Sequence, residues 1–294
     1  MDLGGTKIEA AVLDERGAIA WRERVATPRE SYDGTIGAIV KLVAAAETAA
    51  GPVSVGLGIP GAISPASGVV KNANSTWLNG RPFQEDLERA LARPVRMAND
   101  ANCLAVSEST DGAAAGARVV FAVILGTGTG GGVVVDGRLN IGANAIGGEW
   151  GHNSLPRPSA DEVPGPLCYC GQRGCIETFL SGPGLAADYA RTSGDTGVTS
   201  EDVVARANAG ERAASGCVTL WEDRLARALS DVINLLDPDV IVVGGGLSRV
   251  ERIYTNVPAR WGRYVFSDRV VTRLVPAAHG DASGVRGAAW LWKA

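Results

Sequence analysis

Little in this chain points to nucleic acid, to a membrane or to the cell exterior. Its 28 Lys and Arg are outnumbered by 32 Asp and Glu, for a formal net charge of −4. The basic residues form no block, so the clustered positive surface that a nucleic acid demands is missing. Apolar runs end at stretches such as VVFAVIL, well short of the roughly 20 residues that cross a bilayer. The opening MDLGGTKIEA has no charged segment followed by an apolar one, so a cytoplasmic protein with no membrane or nucleic-acid partner is expected. Histidine occurs twice and cysteine five times. With so few thiols in a reducing compartment, a disulfide framework is not expected. A composition 46% hydrophobic and 20% charged is that of a globular chain. Its 294 residues suffice for one large domain or two of ordinary size.

Glycine is what the chain has in excess. Its 39 glycines gather in DLGGT, GTGTGGG and VVGGGLS, where the backbone must turn tightly or approach a ligand. Gly126, Gly128 and Gly131 spell a formal G-x-G-x-x-G, but the strand-like GVVVDG follows where a dinucleotide fold needs a helix. No P-loop pattern occurs. Glycine loops at hairpin tips can instead present backbone N–H groups to an anion, with Thr6, Thr127 and Thr129 adding hydroxyls and Lys7 a positive charge. DLGGTKIEAAVLDERG and LGTGTGGGVVVDGRLN share one grammar of glycine turn, strand and Asp-bearing turn. Two related halves follow, joined near residue 110, whose loops together would clamp a polyphosphate. Residues 35–50 and 217–236 read as helices, the latter with Val218, Trp221, Leu225, Leu229, Val232 and Leu236 on one stripe whose role is core packing.

Three of the cysteines crowd into GPLCYCGQRGCIE. A closed structural zinc site takes four ligands, and His152, joined to Cys168 by a Pro-rich stretch, completes a set with Cys168, Cys170 and Cys175. Such a metal is a staple and not a catalyst. It would draw Glu149 and Glu177 toward one place, where they suit a polyol's hydroxyls. Asp100 follows the strand-like VRMAN and opens a helix. It is a candidate base for phosphoryl transfer, with a simple helix cap as the competing reading.

The order DLGGTK, GLGIPGAISPASGVV, NDANCLAVSE, GTGTGGG, GGEWGH, CYCGQRGCIE, VVGGG and GDASGVRGAAWL runs over essentially the whole chain. It resembles the ROK family of bacterial sugar kinases, within the actin–hexokinase superfamily, and VVKNANSTWLNGRPF is most similar to fructokinases. The resemblance implies an α/β, two-lobed actin/hexokinase-like (ribonuclease H-like) ATPase fold with a cleft between lobes. The lobes would comprise residues 1–110 and 111–283, with a last helix at about 284–294 packing back on the first. It implies ATP with Mg2+, a structural Zn2+ on His152, Cys168, Cys170 and Cys175, and a homodimer. Asp100 becomes the base, with Gly61, Asn74, Asn99, Glu149, His152 and Glu177 on the sugar. Gly4, Gly5, Thr6 and Lys7 would line one phosphate loop, and Thr127, Gly128, Thr129, Gly130 and Gly131 the other. Asp2 would act on Mg2+ through water, and Gly244, Gly245 and Gly246 would lie beside adenosine. The implied reaction phosphorylates the 6-hydroxyl of fructose, with mannose or glucose as further acceptors and a glucokinase or N-acyl-hexosamine kinase as the alternative. A sugar-sensing repressor is disfavoured, because its DNA-binding segment would precede DLGGT, where only Met1 stands. With relatives carrying several residues there, either a start assigned late or a clipped first strand is expected.

Overall fold

In the computed structural model, which describes residues 1–293, the chain opens with β1 (Asp2–Leu3) and β2 (Lys7–Leu13), which turns back into β3 (Ile19–Ala26). The turn closes because the Asp14 carboxylate accepts from the Arg16 and Ala18 amides at 2.9 and 2.8 Å, the local bonding that makes Asp a turn former. Helix α1 (Tyr32–Ala50) starts where the Ser31 hydroxyl accepts from the Gly34 amide, and it buries Ile39, Leu42, Val43 and Ala46. There follow β4 (Val55–Ile59), the small pair β5 (Ala62–Ile63) and β6 (Val70–Lys71), α2 (Phe83–Leu91), β7 (Val95–Asn99) and α3 (Asp100–Thr110). The first sheet runs β3-β2-β1-β4-β7, antiparallel through the hairpin and parallel from β1 to β7.

The pattern then restarts with β8 (Val119–Leu125), β9 (Thr129–Val135) and β10 (Arg138–Leu139). Asp136 and Gly137 join the last two at φ of 49° and 74°, the doubly left-handed turn that matches strand twist. Helices α4 (Ile176–Leu180), α5 (Gly182–Ser193), α6 (Ser200–Asn208) and α7 (Arg212–Leu236) lead to β11 (Val240–Gly244). Then come α8 (Ile253–Asn256), α9 (Pro258–Trp261), β12 (Arg273–Pro276) and α10 (Ser283–Trp290). The second sheet is ordered β10-β9-β8-β11-β12, with β8, β11 and β12 parallel. Among the described residues no helix is long and apolar enough to cross a membrane.

Two compact units result. The first comprises Met1–Gly116, Gly132–Gly148 and the residues from Asp281 onward, and the second Ala117–Gly131 and Glu149–Gly280. The joint therefore stands after Gly116 and not near 110, and 132–148, expected in the second lobe, group with the first. The reason is a contact that no local pattern announces. Gly132 packs on α3 so closely that a Cβ there would lie 2.6 Å from the Ala101 carbonyl oxygen. Helix α10 packs on α3 in the same way, with Gly287 where a Cβ would fall 1.7 Å from the Cys103 carbonyl oxygen.

Helix α7 begins at Arg212 and not at 217, because Ala213 and Ala214 favour helix without extending the apolar stripe. Val218, Trp221, Leu225 and Leu229 are fully buried. The same helix also buries charge. Arg224 and Arg227 reach Glu162 at 2.7 and 2.8 Å, all three side chains being at most 6% exposed. Burial pushes the Glu162 carboxyl up, but the Arg227 and Arg224 hydrogen bonds outweigh it and hold the group at about 2.

Removing that charge strands two buried guanidiniums, so Glu162→Gln should lose roughly 3–5 kcal/mol in chemical denaturation. Because the folded pKa lies below the unfolded one, the contribution is complete above about pH 4.5 and fades as pH falls toward 2. The stability gap between wild type and Glu162→Gln should narrow over that window; a gap independent of pH would contradict it. Gly287→Ala should destabilise by about 1–3 kcal/mol, since the methyl would overpack against α3.

Candidate active site and metal centre

In the first unit, the loop between β1 and β2 is held by its carbonyls. Thr27 Oγ1 donates to the Gly4 carbonyl at 2.7 Å, the Thr27 amide to Thr6, and Arg29 Nε to Gly5 at 3.1 Å. Gly5, Thr6 and Lys7 remain exposed at the tip. Asp2 lies just behind. Burial first, then the Asp100 charge, push its carboxyl up to about 6. At the head of α3 the cap is Asn99, whose Oδ1 accepts from the Asn102 amide at 2.7 Å. Capping therefore does not fall on Asp100, which is exposed in the first turn with Oδ1 2.8 Å from the Ala101 amide. Gly61 turns at φ 72° after β4, and Asn74 is exposed in the loop beyond β6.

The second unit's glycine loop joins β8 to β9. Gly126 N–H donates to the Gly128 carbonyl at 3.0 Å, and Thr127 is exposed at the tip. Thr129, expected to add a hydroxyl to the phosphate cradle, lies beneath the tip. It is 5% exposed, and its amide donates to Glu177 Oε2 at 2.8 Å. Glu177 in turn leaves no room for a side chain at Gly128, where a Cβ would stand 2.7 Å from Oε2. Glu177 thus ties α4 to the glycine loop, a role that sequence reasoning missed because the two segments lie far apart in the chain. Beyond β11, Gly245 turns at φ 83° with room for no Cβ against the Leu125 carbonyl, while Gly244 is buried and Gly246 exposed.

Glu149 opens a single 3₁₀ turn, Trp150–His152. Trp150 anchors it by donating Nε1–H to the Gly130 carbonyl at 3.0 Å. The chain then returns through a tight knuckle, in which the Cys168 amide donates to the Gln172 carbonyl at 2.8 Å and the Gly171 amide to the Cys168 carbonyl at 3.0 Å. His152, Cys168, Cys170 and Cys175 converge, with their ligand atoms all within 4.8 Å of one another. Cys168 Sγ lies 3.6 Å from His152 Nδ1, and Cys170 Sγ 3.6 Å from Cys175 Sγ. A tetrahedron with Zn–S bonds of about 2.3 Å has edges near 3.8 Å, so the donor set fits zinc. The thiols are unequal: a Gln172 backbone hydrogen bond leads the causes bringing Cys170 down to about 7, whereas burial pushes Cys175 up to about 12. Three thiolates so close need a cation. Tyr169, not singled out by sequence, also enters: its hydroxyl sits 3.0 Å from His152 Nε2.

The profile of the ROK family matches residues 1–294. The chain belongs to the ROK family. It is 42% identical to the N-acetyl-D-glucosamine kinase of Yersinia pseudotuberculosis, over 99% of this chain and 97% of that one. Among solved structures it is similar to the ROK hexokinase of Thermus thermophilus, with TM-score 0.86 and 32% identity over 98% of this chain and 95% of that one. A ROK glucokinase from Streptomyces griseus, in complex with glucose and AMPPNP, gives TM-score 0.80 and 30% identity over 99% and 97%.

For this ROK chain, Cys170→Ser should lower zinc, measured by atomic absorption, from about one ion per chain to near zero. The thermal midpoint should drop sharply with it, since structural zinc contributes roughly 10 kcal/mol or more in small sites. A stable, zinc-free variant would rule out the staple.

Proposed function

We propose that this ROK-family chain is an ATP-dependent sugar kinase whose acceptor is N-acetyl-D-glucosamine. The observation that carries the reading is the 42% identity, across 99% of the chain, to the Yersinia N-acetyl-D-glucosamine kinase. Fructose, favoured by the motif resemblance, has no support at that level. Relatives from Pectobacterium atrosepticum and Escherichia coli, at 40% identity, are N-acetyl-D-glucosamine kinases as well. The N-acyl-hexosamine alternative is the one they favour.

Asp100 takes the proton of the sugar's 6-hydroxyl as that oxygen attacks the γ-phosphorus of ATP, and the bridging oxygen leaves with ADP. Asn99 spends its side-chain oxygen on the cap of α3, which leaves its amide to donate to a sugar hydroxyl. Glu149, His152 and Glu177 accept from and donate to the remaining hydroxyls, with Gly61 and Asn74 as further contacts. Glu177 commits Oε2 to the glycine loop and has Oε1 for the sugar. The exposed Gly5, Thr6 and Lys7 with half-buried Gly4, and the exposed Thr127 with half-buried Gly128 and Gly130, supply phosphate donors, while the buried Gly131 and Thr129 back the second tip. Gly244, Gly245 and Gly246 lie beside adenosine. The Mg2+ that accompanies ATP suits Asp2, because burial and the Asp100 charge raise its carboxyl to about 6, an unfavourable load on the anion that a cation would offset. Zinc supplies only loop geometry.

A coupled ADP-release assay over N-acetylglucosamine, N-acetylmannosamine, glucose, mannose and fructose tests the reading. A site that bonds the acetamido group should favour N-acetylglucosamine over fructose about 10-fold or more in kcat/KM. Preference for glucose would favour the second reading, a hexokinase like the 30–32% identical solved relatives. Asp100→Asn should still bind sugar and lose roughly 10²–10⁴ in kcat; near-normal turnover would place the base elsewhere.

A further inference from the structure

Tyr169 stands between two metal-binding cysteines, where the metal geometry asks nothing of the side chain. It is 79% exposed, yet its position is defined. The ring meets the His152 imidazole edge-on, with centroids 5.1 Å apart and planes at 89°, and the hydroxyl lies 3.0 Å from Nε2. The other imidazole nitrogen, Nδ1, faces Cys168 Sγ. An imidazole that gives Nδ1 to the metal carries its proton on Nε2, so His152 donates and the Tyr169 oxygen accepts. The phenol also joins Thr127 and Glu177 in lining a hollow of about 590 Å3 within the second unit. One side chain therefore links the metal knuckle, the glycine loop's tip and the glutamate beneath that loop. It occupies the nitrogen that His152 would offer to a sugar hydroxyl.

We infer that Tyr169 is a specificity-determining residue of the acceptor site, whose hydroxyl holds the His152 Nε2–H in the absence of sugar and yields it to a sugar hydroxyl on binding. The inference rests on the kinase reading of the same site. Sugar entry exchanges one hydrogen bond for another, so only an acceptor that presents a hydroxyl to Nε2 displaces the phenol without loss. The knuckle sets where that competitor stands, because Cys168 and Cys170 hold the backbone on either side of it.

Tyr169→Phe keeps the ring and removes the competitor. Titration calorimetry with N-acetyl-D-glucosamine on the zinc-loaded chain should show binding about 2- to 10-fold tighter than wild type, the range set by one net hydrogen bond. Zinc content should not change. In 15N-histidine NMR the His152 Nε2 signal should shift when sugar is added to wild type, and should start displaced from its wild-type position in Tyr169→Phe. Unchanged or weaker sugar binding in a variant that retains zinc overturns the inference while the kinase reading stands. Loss of zinc from Tyr169→Phe also overturns it, since the phenol would then be a support of the metal loop. A wild-type chain that binds none of the five sugars overturns the kinase reading and this inference with it.

Discussion

The second unit depends on one buried carboxylate remaining ionised. Glu162 lies on the arm that leads from His152 to Cys168, and Arg224 and Arg227 of α7 hold it from one side. Arg227 also donates to the Pro156 and Arg157 carbonyls at 3.0 and 2.8 Å, so the arm's backbone and its side chain share one anchor. Arg224 extends the network to Asp188 on α5 at 2.6 Å. Such charges stabilise only as a complete set, because any one left alone in the interior is strongly unfavourable. Their completeness holds the excursion between His152 and Cys168 against α7.

From that anchor the order propagates toward chemistry. Metal binding would close the knuckle, Cys175 starts α4, and two residues later Glu177 accepts from the Thr129 amide. A loop expected to present donors to phosphate is thereby rigidified from below by a side chain on the segment that follows the cysteine cluster. This arrangement suits phosphoryl transfer, in which the protein contributes mainly positioning. The two threonines of the loop differ: Thr127 is exposed, whereas Thr129 is buried with its amide on Glu177.

The first unit relies on close approach. Gly287 and Gly132 let a C-terminal helix and a strand from beyond the second glycine loop sit against the backbone of α3. Helix α3 carries Asp100 at its head. Glu108, fully buried on the same helix, accepts from Ser283 Oγ at 2.8 Å and from the Ala113 amide at 2.9 Å. The candidate base is thus borne by a helix wedged on several sides, and segments distant in sequence determine where it points.

Signals that live in a few neighbouring residues are legible in the chain itself. The Asp14 and Asp136-Gly137 turns, the apolar strands, the stripe on α7, the cysteine spacing with its histidine and the ROK motifs all follow from local chemistry or from order along the chain. Asp100 at the head of α3 is legible too, although the capping by Asn99 emerges only in the fold. The grouping of 132–148 with the first unit, the Glu162 network, the Glu177–Thr129 bond and the Tyr169–His152 pair are not legible in this way. Each joins segments far apart in sequence through one or two polar contacts or a missing Cβ, and such contacts leave no periodicity to read. Residue type and spacing suffice to specify the elements, the family and the metal's donor set, because each of these is written in short-range order. Which donors are taken and which stay exposed is settled by folding, because it depends on which distant side chain arrives within 3 Å.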